Sequence, residues 1–391
     1  MQLDGFEVLV AGGGVAGLSA ALAFARRGAS VTLLEQAGEI AEVGAGLQIS
    51  PNGFAVLDAL GLGEAIAARG VAARAVSLRR HQDGAEVTRM DLARLAPGRR
   101  YLFLHRADLI DALAAAVRAA GVQLRLLQQV AEVAPGTRPA VVTAQGARLE
   151  ADLVVGADGL HSRLRPALNG AAPPRFTGQV AWRALVPGPA DHPPEAWVHM
   201  GPGRHLVSYP LRGGARVNLV AVEERRTWAE EGWHHRDDPA NLRAAFAAFG
   251  GQVPGLLAAV EEVHLWGLFR HPVAARWHGD GIALLGDAAH PTLPFLAQGA
   301  NLALEDAWVL ADAVARAGTR AAGLAAYQQR RRARAARTVE AASRNAWKYH
   351  LRPGPVRLAG HAALGLAGRL APGALLSGFD WLYGHDVTQE A

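Results

Sequence analysis

Two textures of apolar and polar positions alternate along this chain. Near the start, Val8 to Ala11 is an unbroken apolar run of the kind seen in a parallel strand buried on both faces. Leu18, Ala21, Leu22 and Ala25 then recur at helical spacing up to Gly28, a helix stop. Val31 to Leu34 forms a second apolar strand ending in Glu35. Ser50-Pro51-Asn52 opens a helix that Gly61 ends. Residues 72–91 alternate as a hairpin with Asp83-Gly84 at its turn. Arg106 opens a strongly periodic helix stopped by Gly121, and strands are expected at Val122–Leu127, Ala140–Ala144 and Asp152–Gly156.

From Pro173 to about His271 the texture changes. Short alternating runs, GQVAWRALV, EAWVHM, RHLVSYPL and ARVNLVAV, predict a mostly antiparallel sheet. A fully apolar strand from Gly281 to Gly286 restores the first texture, and a long amphipathic helix opens at Gln298-Gly299-Ala300-Asn301. The first architecture is therefore interrupted and resumed. Residues 321–350 predict a further helix carrying Arg330, Arg331, Arg332, Arg334 and Arg337. No aromatic residues interleave with this basic run, so a solvated face is expected and not a nucleic-acid contact. The tail, ending FDWLYGHDV, has the apolar content of a segment packed on the body or on a partner chain.

Composition narrows the class. The 391 residues suffice for two or three domains, and half of them are hydrophobic with 19% charged, which fits a globular enzyme and excludes disorder. There is no cysteine, so disulfides, thiolate metal sites and Cys nucleophiles are excluded. The net charge is only +5, and Lys348 is the sole lysine; the basic character is arginine bias and not a nucleic-acid footprint. The chain enters its first strand without a basic and apolar leader, and no run reaches the ~20 apolar residues of a membrane span. A cytoplasmic protein, monomer or homodimer, with no membrane or nucleic-acid partner and no metal, is the expectation.

The candidate chemistry lies where strands end. Three glycines follow the first strand as Gly12-x-Gly14-x-x-Gly17. Gly12 permits the tight turn, Gly14 lets backbone approach a pyrophosphate, and Gly17 lets helix pack closely on strand. The helix start offers unpaired N–H groups to phosphate. Glu35 stands where a carboxylate accepts from ribose hydroxyls, favouring a free 2′-hydroxyl. Asp158-Gly159 and Gly286-Asp287 end two further apolar strands. Gly44 and Gly46 read either as backbone passing close to a ligand or another segment, or as an ordinary glycine loop. Together these features predict an α/β chain whose Rossmann-type dinucleotide domain (1–74, 101–174 and 272–345) is interrupted by a mostly antiparallel β substrate domain (75–100 and 175–271), with a C-terminal helical segment from 346 to 391.

At this point the chain resembles the group A FAD-dependent aromatic hydroxylases, and within them the branch holding salicylate hydroxylase, 3-hydroxybenzoate 6-hydroxylase and 6-hydroxynicotinate 3-monooxygenase. The resemblance runs through VLVAGGGVAGLSAAL, VGAGLQISPN, HRADLIDAL, LVVGADGLHSRLR, AWRALVP and, most specifically, GDAAHPTLPFLAQGANLALEDA. It implies non-covalent FAD, with NAD(P)H and O2 as co-substrates, and hydroxylation of a phenolic acid or hydroxylated N-heterocycle through a C4a-hydroperoxyflavin. It implies that Gly12, Gly14 and Gly17 hold the pyrophosphate and Glu35 the adenosine ribose. Arg106 would reach FAD, with Gln128 or a neighbour adding adenine-side contacts, and Asp158 would serve FAD and NAD(P)H use. Asp287 would bind the ribityl chain or adjoining phosphate, with Gly286 beside it also at the cofactor. Gln298, Gly299, Ala300 and Asn301 would sit beside the flavin ring, and Gly46, Gln48 and Pro294 would also bind the cofactor. Gln48 stands where some relatives carry histidine, which argues against a flavin linked covalently through this loop. His205 and Tyr209, four apart on one strand face, match family positions at the substrate; His290 reads as structural.

Two alternatives stay open on sequence. One is a flavin-dependent reductase or epoxidase of a secondary metabolite on the same scaffold, against which polar His205 and Tyr209 weigh. The other is a non-catalytic nucleotide-binding protein, against which the GD and DG segments weigh.

Overall fold

The structure, a computed structural model, describes residues 3–40, 45–95, 98–189, 191–225 and 235–390; Gly44 lies outside them. Its frame is a sheet of five parallel strands in the order Ile282–Leu284, Leu153–Gly156, Glu7–Ala11, Ser30–Leu34 and Gln123–Arg125, with His278–Gly279 antiparallel at one edge. Val10, Leu33, Val154 and Leu284 are fully buried in it, as strands covered on both faces require. The helix Val15–Ala25 is alanine-rich and inaccessible on nearly every side, since the helices Gly299–Arg316 and Arg106–Ala119 both pack on it.

The second sheet has eight strands in the order Arg236–Asp237, Val263–Arg270, Arg175–Pro187, Arg216–Glu224, Arg204–Leu211, Glu195–Gly201, Ala75–Arg80 and Glu86–Asp91. All neighbours run antiparallel except Glu195–Gly201 beside Ala75–Arg80. Because side chains alternate, each strand serves two layers. Trp182, Ala184, Leu206 and Leu219 join the helices Pro239–Ala245 and Val253–Ala258 in one apolar core. Ala181, Val220 and Val222 face the other way, toward Leu293 and Phe295 of the first unit.

Several elements depart from the sequence expectation. Gly46–Ile49 is a strand and not a loop, paired antiparallel with Leu102–His105. Ala140–Thr143 is a strand, but with Val130–Ala134 and Arg148–Glu150 it forms a separate antiparallel sheet. The helix Arg320–Tyr349 runs through the domain boundary placed at 345.

The arginines of that helix are a correction. Arg331 is 1% exposed and pairs with Glu305 at 2.5 Å and Asp306 at 2.8 Å. Arg334 pairs with Glu305 at 2.7 Å, Arg330 with Asp312 and Glu390, and the Arg337 guanidinium lies 4.0 Å above the Trp381 ring. Arg330, Arg331 and Arg334 thus form an internal ion-pair seam and not a solvated face, while Arg332 and Arg337 stay exposed as expected. The seam's acids sit on the helix Gly299–Arg316 and, for Glu390, near the end of the chain, so periodicity within the basic helix could not reveal them. Beyond it, Phe379, Leu382 and Tyr383 pack into the body, whereas Leu358, Leu366 and Leu370 of the helix Pro355–Leu370 are exposed. Among the described residues no helix is long and apolar enough to cross a membrane.

Candidate functional site

A continuous cavity of about 650 Å3 runs between the two sheets, from the first glycine turn to the inner face of the eight-stranded sheet. Twelve of the positions singled out in the sequence line it: Gly14, Gly46, Gln48, Arg106, Asp158, His205, Tyr209, Asp287, Pro294, Gln298, Gly299 and Ala300. Gly12, Gly17, Glu35, Gly286 and Asn301 are not on its wall but stand behind it.

The glycines divide their work. Gly12 has φ +107°, and a Cβ there would meet the Ala157 carbonyl oxygen at 2.3 Å; at Gly17 a Cβ would meet the Gly12 oxygen at 1.8 Å. Those two are required by packing. Gly14 caps the helix Val15–Ala25, and a Cβ there would meet nothing within 4 Å, so its backbone fronts open space. Glu35 accepts from the amides of Gly13 at 2.6 Å and Ala37 at 2.8 Å, and an ionised carboxylate retains capacity for further donors. The amide of Gln128 donates to the Glu35 carbonyl. Gly46 is small because its backbone passes close to another segment: a Cβ would collide with Tyr209 and Asn218 at 2.7–2.8 Å.

Three charged groups face the cavity. Asp287 opens to the cavity yet is surrounded by protein, and desolvation raises its pKa against the opposing pull of His290 and Arg106. Arg106 is shifted downward, again by burial, with Asp287 favouring its charge. Asp158 is raised by burial; its Oδ2 accepts from Arg163 and Leu164 amides, and its buried Oδ1 has no hydrogen-bond partner.

At the start of the helix Gly299–Arg316, the side chains of Gln298 and Asn301 turn away from the cavity. Gln298 bonds Asn52 and Ser50, while Asn301 accepts from the Ser50 amide and donates to the Gln48 carbonyl. This fully buried network fastens the helix start to the strand Gly46–Ile49. What remains facing the cavity at Gly299 and Ala300 is a helix N-terminus, a site favourable to negative charge. His290 is stacked on Trp277 and paired with Asp306, whose Oδ2 also accepts from the Gly286 amide at 3.1 Å. It braces the loop that carries Asp287.

On the sheet side, register places three rows on one face. Ala181, Val222 and His205 are aligned across three strands; next come Arg183, Val220 and Val207; then Leu185, Asn218 and Tyr209. His205 and Tyr209 thus stand ~13 Å apart along their strand, with Arg183 two strands away between them. His205 is 2% exposed, and burial with the nearby His350 holds its pKa well below the ordinary value. Burial moves Tyr209 upward. Arg183 is lowered to about 10 by burial and lies 5.3 Å from the Trp266 ring centre. Tyr101, Tyr349, Phe379 and Tyr383 complete an aromatic wall.

Sequence reasoning missed Arg183, Tyr101, Tyr349 and the C-terminal Tyr383. Only Arg183 left a readable signal, a cation at an inward position of the alternating run QVAWRALV. The others come from segments whose convergence no local pattern encodes.

The residues fit an extended dinucleotide on their own geometry: a backbone cradle open at Gly14, two helix N-termini, and an acid and a base, Asp287 and Arg106, facing one cavity. A family model described as an FAD binding domain matches residues 5–342. The chain is 36% identical to the 3-amino-4-hydroxybenzoate 2-monooxygenase PtmB3 of Streptomyces platensis, over 98% of this chain and 96% of that protein. It is also 36% identical to the 3-hydroxybenzoate 6-hydroxylase of Klebsiella oxytoca, over 88% and 89%. Among solved structures, Klebsiella pneumoniae HpxO complexed with FAD and uric acid matches with a TM-score of 0.82 at 28% identity, covering 94% of this chain and 95% of that one.

Proposed function

This chain belongs to the FAD-binding group A aromatic hydroxylases, and from that premise we propose that it hydroxylates a small phenolic carboxylic acid, with NAD(P)H as reductant. The observation that carries the finer reading is one sheet face presenting a buried cation, Arg183, a neutral imidazole, His205, and a phenol, Tyr209, to an otherwise apolar and aromatic chamber.

FAD, when bound, supplies the redox and oxygen-activating chemistry. In this reading the amides at Gly14 and Val15 take its pyrophosphate, Glu35 a ribose, Asp287 and Arg106 the middle of the molecule, and Gly299 and Ala300 the flavin edge where negative charge gathers. Arg183 pairs with the substrate carboxylate, which relieves the desolvation that depresses its own pKa. His205 accepts the substrate hydroxyl proton, making the ring more electron-rich. Tyr209, kept protonated by burial, donates a hydrogen bond and does not act as base. Val207, Val220, Val222 and Leu268 keep the chamber dry.

The test is NAD(P)H oxidation and O2 uptake with 3-hydroxybenzoate, 3-amino-4-hydroxybenzoate and the matching phenols lacking a carboxyl group. Arg183→Met should lower kcat/KM for the acids about 10- to 100-fold, the value of a charged hydrogen bond, and leave the phenols nearly unchanged. Equal losses for both sets would remove the carboxylate role from Arg183. No acid-stimulated turnover in the wild type would overturn the substrate class.

A further inference from the structure

His205 has a second partner behind it. Its Nδ1 lies 2.6 Å from Nε2 of His350, and Nδ1 of His350 lies 3.1 Å from Oε1 of Glu224. The His350 side chain is 1% exposed, whereas that of Glu224 is 42% exposed. An unbroken line of three titratable groups thus leads from the cavity wall to bulk water.

The order of donors follows from the open end. A carboxylate only accepts, so Nδ1 of His350 carries the hydrogen and donates to Glu224. With one hydrogen on a neutral ring, Nε2 of His350 is an acceptor. Nδ1 of His205 must then donate to it, which leaves Nε2 of His205 as a lone pair with no protein partner among the described residues. Glu224 therefore sets, through His350, the tautomer in which His205 can take a proton from the cavity.

Fastening does not require these side chains. The Gly203 amide donates to the His350 carbonyl, and the Glu224 amide donates to the Gly203 carbonyl, so backbone bonds already tie the helix end to the hairpin. Other charges nearby are engaged elsewhere: Arg204 and Arg225 both pair with Glu223. Tyr349, whose ring centre is 5.2 Å from that of His205, is raised to about 12 by burial and stays neutral; Tyr209, on the same strand face, likewise stays protonated.

We propose that His205, His350 and Glu224 form a proton relay that carries the hydroxyl proton of the bound substrate out of the closed cavity and returns one to the product. This rests on the reading of His205 as the group that meets the substrate hydroxyl. The substrate O–H bond breaks and its proton joins Nε2 of His205. The Nδ1 proton of His205 passes to Nε2 of His350, and the Nδ1 proton of His350 passes to Glu224, which releases it to water. No net oxidation occurs, and reversal of the same steps reprotonates the product oxygen and resets both rings. Desolvation keeps either imidazole from holding the positive charge for long, which suits transfer and not storage. His350 and Glu224 are positioning residues in this scheme; His205 alone meets the substrate.

The relay is tested on the FAD-loaded enzyme without reductant, so that no turnover occurs. The enzyme is mixed rapidly with 3-amino-4-hydroxybenzoate or 3-hydroxybenzoate in weak buffer containing a pH indicator, and proton release is followed beside the phenolate absorbance. Wild type should release a proton as the phenolate band rises. Glu224→Gln and His350→Gln should slow both by at least about tenfold while the Kd for substrate changes little. Glu224→Asp should recover part of the rate, and added imidazole buffer should recover part of it in Glu224→Gln. Flavin absorbance confirms that each variant is folded and loaded. Release at the wild-type rate in both variants would overturn the relay and leave the hydroxylase reading standing. A wild type that binds these acids yet forms no phenolate would overturn the base role of His205, and the relay with it.

Discussion

Asp287 is a residue whose charge the protein holds at its own expense. The protein around it raises its pKa, but its side chain is open to the cavity, where water screens the effect, so the folded state resists its ionisation only weakly. The sign follows: above the ordinary carboxylate range Asp287 subtracts slightly from stability. Asp287→Asn should therefore keep or raise the melting temperature of the apoprotein while the purified protein loses most of its flavin. Calorimetry of apoprotein and the visible spectrum of the purified variant check the two halves. A lower Tm together with full flavin content would contradict both. At this scale much was legible, because strand-end acids and turn glycines are tied to local backbone geometry. The inward turn of Gln298 and Asn301 was not, because their partners Ser50 and Asn52 lie some 250 positions earlier in the chain.

At the scale of elements, the helix Arg320–Tyr349 decides how the helix Gly299–Arg316 sits. Glu305 and Asp306 are both held at about 2, despite burial, by Arg331 with Arg334 and His290. Depressed acids contribute stability that is present above the free-chain values near 4 and lost as pH falls toward 2. Arg331→Met takes from two buried carboxylates the cation they share, leaving Glu305 to Arg334 and Asp306 to His290, and should cost about 3–5 kcal/mol in urea unfolding. It should also move acid unfolding to higher pH, since both acids would then titrate closer to, or above, their ordinary range. Unchanged stability would mean that Arg334 and His290 suffice. The helix itself was evident from periodicity. The burial of Arg331 was not, since a basic run reads the same whether it faces water or acids on another element.

At the scale of the whole molecule, the cavity lies between two sheets and is closed by the end of the chain. Phe379 and Tyr383 line it, and the backbone beside them is held from a distance: Arg99 donates to the carbonyls of Tyr383 and Gly384, and Arg334 to those of Trp381 and Leu382. Arg99→Ala should loosen this closure without touching the nucleotide half. The expected result is unchanged flavin content with KM for the aromatic acid raised several-fold; an unchanged KM would show that Arg334 alone suffices.

What the sequence determined by itself is the dinucleotide half and its interruption. Buried parallel strands, a glycine turn and strand-end acids leave local, periodic marks, and the change to alternating strands announces a second sheet. The chamber was decided only in three dimensions. It is made by strand register, which sets Arg183, His205 and Tyr209 on one face, and by contacts between Gly46 and Tyr209, Arg331 and Glu305, and His205 and His350. Each of these pairs residues 26 or more positions apart in the chain, where spacing along a single segment carries no information about what meets.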